Sequence, residues 1–100
     1  MEKPTPLTNE EIAGRLQEIS GWQFADDKIF KQFEFKDFID SLGFVNSLAE
    51  FFEGMDHHPD IQIMYSKVKF ELQRFDVGGK VTDRDFIVAR EIEKRYQERS

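Results

Sequence analysis

No cysteine occurs anywhere in the chain, so neither a disulfide framework nor a thiolate metal site can hold it together. Small secreted scaffolds and zinc ribbons are excluded together. Positive charge is also short: Lys and Arg total 14 against 20 Asp and Glu, for a net charge of −6. The counterion release that drives non-specific nucleic-acid binding is therefore missing, and an anionic membrane surface would repel the protein. No apolar run approaches the length of a membrane span, and Met1-Glu2-Lys3-Pro4 opens without the apolar stretch of a signal peptide. A soluble, cytoplasmic protein is expected. Tryptophan occurs once, yet the chain holds 11 Phe and is 14% aromatic. That excess argues against disorder and requires a core or an interface rich in rings. One hundred residues suffice for a single domain with a real core and leave no room for a second.

Two of the three prolines fall within residues 1–7, which read as a flexible leader to a single domain over 8–100. Thr8-Asn9-Glu10-Glu11 forms a capping box, and Ile12, Leu16 and Ile19 share one face of a helix over 8–19. Ser20-Gly21 closes that helix. A short strand over 22–25, a turn at Asp26-Asp27 and a strand over 28–35 make a β-hairpin, with Ile29, Phe33 and Phe35 opposite Phe30, Gln32 and Glu34.

Asp37 can cap a long helix over 38–55 whose apolar residues divide into two stripes. Phe38, Leu42, Val45, Ala49 and Phe52 make the first. Phe44, Leu48, Phe51 and Met55 make the second, displaced by about 80° at 100° per residue. Two stripes suit either a deeply buried helix or a subunit interface, and in so small a domain the interface is favoured, giving a homodimer or homotetramer.

Strands over 61–64 and 67–73 follow, the second alternating Val68, Phe70 and Leu72 with Lys67, Lys69, Glu71 and Gln73. Gly78-Gly79 breaks the chain, and Thr82-Asp83-Arg84-Asp85 opens a last helix with the stripe Val88, Ala89, Ile92 and Tyr96. The order α-β-β-α-β-β-α predicts an α+β fold, a four-stranded antiparallel sheet with three helices on one face.

Both histidines sit in Glu53-Gly54-Met55-Asp56-His57-His58-Pro59, where the longest helix gives way to a strand. Histidine changes charge near neutral pH and suits general acid–base work, and flanking carboxylates can orient a ring or hold it protonated. Adjacent side chains in extended backbone point apart, so the two rings need not share a target. A metal site is not supported, because the spacing lacks helical i, i+4 geometry and no third histidine or cysteine exists. By themselves these residues also suit capping: imidazolium favours a helix C-terminus, Asp85 can partner Thr82, and Glu53 and Asp56 can be ordinary solvated residues.

The segment from Ile29 to Phe38, then Gly43-Phe44, Asp56-His57-His58-Pro59, Tyr65, Thr82 and Asp85-Phe86 resembles the pterin-4a-carbinolamine dehydratase family over nearly the whole chain. Glu53, His57, His58, Pro59, Tyr65 and Asp85 match its pattern. The resemblance implies dehydration of a 4a-hydroxytetrahydropterin to a quinonoid dihydropterin, in pterin recycling beside the aromatic amino-acid hydroxylases and without a cofactor. It implies His57 as the acid–base residue and His58 as a substrate-binding residue that supports proton transfer, with Glu53 and Asp56 orienting them and Asp85 at the pocket edge. Gln73, Arg74 and Phe75 would complete the pocket. It also implies a dimer of dimers, and, since animal members stabilise a homeodomain transcription factor, it leaves open a non-catalytic pterin-binding protein or an oligomeric adaptor and transcriptional coactivator.

Phe75 departs from the pattern, standing where the family has its third active-site histidine. Strand alternation marks the same place, since Phe75 has the parity of Lys69, Glu71 and Gln73. Either the strand ends or bulges there, or the pocket has lost a proton-carrying group and the activity is reduced.

Overall fold

A computed structural model describes residues 6–73 and 80–99 of the chain. The elements run α1 (Asn9–Leu16), β1 (Gln23–Ala25), β2 (Lys28–Glu34), α2 (Phe38–Met55), β3 (Asp60–Met64), β4 (Lys67–Leu72) and α3 (Asp83–Glu98). All neighbouring strands are antiparallel, in the order β1-β2-β4-β3, so the two central strands are β2 and β4. This is the expected α+β architecture.

Local chemistry sets the boundaries. Thr8 and Glu11 satisfy each other's backbone N–H groups at the start of α1. The helix ends at Leu16 rather than Ile19, because the backbone tightens into turns from Glu18 N–H to Arg15 and from Ile19 N–H to Leu16. Ile19 is buried nonetheless. Gly21 carries the reversal at φ +85, and a Cβ there would sit 3.0 Å from the Lys31 side chain. Asp26 and Asp27 both adopt positive φ, 53 and 61, as a two-residue turn joining right-twisted strands requires. The last residues of the leader are tied down: Leu7 donates its N–H to Val81, and Pro6 bridges Thr82.

Register places the core. Ile29 faces Leu72 and Phe33 faces Val68 across β2 and β4, with Phe70 between, so these residues share the sheet face that the helices cover. Phe33 is the hub of a ring cluster, 4.8 Å from Tyr96, 5.8 Å from Phe70 and 6.1 Å from Trp22 between centroids. Much of the phenylalanine excess is thus core, each ring pair adding about 0.5–1.5 kcal/mol beyond its buried area.

The long helix faces the sheet with most of the stripe expected to form an interface, joined by Phe52 and in part by Val45 of the other. Phe44 and Leu48 are buried, and Phe51 and Met55 pack partly against the core, whereas Phe38 is 45% exposed and Ala49 is exposed. The interface expected at Phe44, Leu48, Phe51 and Met55 is therefore corrected: those side chains are occupied within the chain. The cause is Ser41, which begins the true buried line with Phe44, Leu48 and Phe52. Its hydroxyl hydrogen-bonds the carbonyls of Asp37 and Tyr65, so a polar residue fixes the rotation of the helix.

Candidate active site

α2 ends in a Schellman arrangement: Asp56 N–H donates to Glu53 O and His57 N–H to Phe52 O, both at 3.1 Å, with Asp56 left-handed at φ 51. The turn projects the two rings apart. His57 enters the protein and is 3% exposed, while His58, just before Pro59, stays at the surface.

His57 Nε2 lies 2.5 Å from Asp85 Oδ1. The other carboxylate oxygen, Oδ2, accepts from Thr82 N–H at 2.7 Å and lies 3.4 Å from the Thr82 hydroxyl. Asp85 and Thr82 are fully buried. The capping box of α3 and the histidine site are thus one structure: the capping residue of a helix is also the carboxylate on the ring. An ionised carboxylate only accepts hydrogen bonds, so it selects the form of His57 that carries hydrogen on Nε2.

His58 is arranged differently. Its Nε2 sits 2.7 Å from Glu53 Oε1, one turn back on α2, and both side chains are exposed. Asp85 thus meets the ring of His57, and Glu53 meets that of His58. Asp56 contributes the left-handed corner, and Asp85, which the resemblance sets at a pocket edge, lies under His57. Gln73 is half-buried just beyond β4. Arg74 and Phe75 lie outside the described residues, as does Gly78-Gly79. Thr82, a simple cap by its sequence pattern, also supports the site, and Thr82-x-x-Asp85 is the signal for it.

Two imidazoles, each beside a carboxylate, are groups suited to general acid–base chemistry. Among the described residues, no group of three His, Cys, Asp or Glu side chains could hold a metal ion. Two surface clefts, of about 320 and 340 Å³, lie elsewhere: one by Glu34, Phe35, Lys36, Asp40 and Arg99, the other around Leu7, Ile12, Phe24 and Lys80. No helix among the described residues is long and apolar enough to cross a membrane.

The sequence profile of the family described as pterin 4 alpha carbinolamine dehydratase matches residues 5–95. The chain belongs to that family. A relative from Picosynechococcus sp. named for pterin-4-alpha-carbinolamine dehydratase is 46% identical over 85 residues, which cover 85% of this chain and 91% of the relative. One of the same name from Sulfolobus acidocaldarius is 42% identical, over 88% of this chain and 96% of the relative. A crystal structure described as a transcriptional coactivator/pterin dehydratase from Brucella melitensis superposes with a TM-score of 0.85 at 33% identity, covering 90% of this chain and 97% of that one. Within this dehydratase family, the segment from Glu53 to Asp85 holds both histidines of the chain and their carboxylate partners.

Proposed function

We propose that the protein is a hydro-lyase that dehydrates a 4a-hydroxytetrahydropterin to the quinonoid dihydropterin, in pterin recycling after aromatic amino-acid hydroxylation. In this step the C4a–O bond breaks, its electron pair leaves with oxygen, and the oxygen takes up a proton and departs as water. The neighbouring ring nitrogen loses a proton, and its electron pair forms the new C=N bond. The step is neutral in electrons and needs one acid and one base, and so no redox cofactor. His57 is assigned the acid–base role, with Asp85 holding its tautomer and offsetting charge that develops on the ring. His58 and Glu53 would hold the pterin from the open side and support proton transfer, and Gln73, Arg74 and Phe75 would complete the slot, with Phe75 stacking where the family has a third histidine. The observation that carries this reading is the contact of His57 with the buried Asp85, since a buried carboxylate on an imidazole is what an oriented acid–base group requires.

The test is direct. Purified protein is added to 4a-hydroxytetrahydropterin formed in situ, and water loss is followed by absorbance. The reading requires a saturable acceleration proportional to enzyme and lost in His58→Ala, while a rate equal to the spontaneous one refutes it.

Self-association belongs to the same proposal. Phe38 at 45% and Ile39 at 73% exposure stand on the outer side of α2, and a homodimer or homotetramer would cover them.

A further inference from the structure

We propose that Arg84 is a positioning residue for the His57–His58 corner, a role that rests on the reading of the site given above. The last turn of α2 contains no basic residue. Its terminal carbonyls, where the negative end of the helix dipole lies, have no cation from their own helix. Arg84 supplies one from α3: its Nη1 donates to the Met55 carbonyl at 3.3 Å, from a half-buried side chain.

The position of Arg84 gives that contact its meaning. Arg84 directly precedes Asp85 in the first turn of α3, so this one turn grips the corner at two points, the Met55 carbonyl through Arg84 and the His57 ring through Asp85. Between those points lies Asp56, whose left-handed backbone is uncommon for a residue with a Cβ and persists because its surroundings hold it. The bonds from Asp56 and His57 back to Glu53 and Phe52 hold the corner from the side of α2. Arg84 holds it from the side of α3. Releasing the Met55 carbonyl lets the corner turn about Asp56 and shifts both rings relative to each other. Arg84 is aimed at backbone and has no part in proton transfer.

Replacing Arg84 with methionine keeps much of the apolar stem and removes the donor, whereas Arg84→Lys keeps a donor able to serve a single carbonyl. The test reads the nitrogen and proton resonances of the His57 ring without substrate, and then the kinetics. Arg84→Met should move those resonances and lower kcat for dehydration about tenfold with KM within about twofold, because small misplacement of reacting groups costs rate more than affinity. Arg84→Lys should restore both. If Arg84→Met does not fold, Arg84→Gln, too short to span the same gap, is read in the same way. Unmoved His57 resonances overturn the proposal whatever the activity, and moved resonances with unchanged kcat overturn the positioning role. A wild type without dehydratase activity overturns the functional reading instead, and the resonances then decide whether Arg84 sets the corner.

Discussion

Replacing Asp85 with asparagine separates the two duties of that carboxylate. An amide has one acceptor end and one donor end, and the Thr82 N–H at 2.7 Å demands the acceptor. The donor end then faces His57 Nε2 and selects the opposite tautomer. Two buried hydrogen bonds lose their charge assistance, each falling from about 1.5–3 to about 0.5–1.5 kcal/mol, while relief of the buried charge offsets part of the difference. A net destabilisation of about 2 kcal/mol corresponds to about 10 °C in Tm for a domain of this size. The wrong tautomer should cost far more in rate, about 10²- to 10⁴-fold in kcat. Stopped-flow dehydration and thermal melts by circular dichroism measure the two effects separately. A variant that melts lower but keeps kcat within about threefold of wild type would show that the tautomer does not matter to the rate, and the buried pair would then be only a tie between α3 and the end of α2.

Leu48→Glu places a carboxylate at a site with no exposure and should abolish cooperative unfolding in a melt, whereas Ile39→Glu, at 73% exposure, should lower the mass measured by light scattering with Tm nearly unchanged. Lys28 and Lys69 hold the Glu71 carboxylate below its ordinary range, with Lys28 the larger influence. A carboxylate with a lowered folded-state pKa contributes stability above its unfolded value and loses it as pH falls through the folded one. Glu71→Gln should therefore melt below wild type at about pH 7, with the gap closing below about pH 4 and shrinking in high salt. Phe75→His should raise the dehydration rate about tenfold if a missing proton carrier limits the reaction, and the triple change of Gln73, Arg74 and Phe75 to Ser, Thr and His should raise it further. A triple variant no faster than wild type would remove Phe75 as the limit.

Periodicity and caps made the fold legible because they are local. The boxes at Thr8 and Thr82, the Asp26-Asp27 turn and the alternation through Val68, Phe70 and Leu72 all specify structure within a few residues. The rotation of α2 was not legible, because it depends on the Ser41 hydroxyl meeting the Tyr65 carbonyl 24 residues away. The site divides in the same way. The histidine motif names its own location, and Glu53 lies one turn from His58. The partner of His57 comes from another element, 28 residues on, and a capping aspartate gives no local sign that it also holds a ring. That contact also changes what His57→Ala should do. Removing a solvated loop histidine would leave stability intact, but here the change strands a buried carboxylate and should destabilise by about 3 kcal/mol.

In the proposed function a pterin meets the His57–His58 corner. A crystal soaked with a reduced pterin that lacks the 4a-hydroxyl, and so cannot react, tests it most directly. The bicyclic ring should lie against that corner, within hydrogen-bonding distance of at least one of the two imidazoles and with Glu53 beside it. A pterin seated instead in the cleft of Glu34, Lys36, Asp40 and Arg99, with the histidine corner empty, would contradict it.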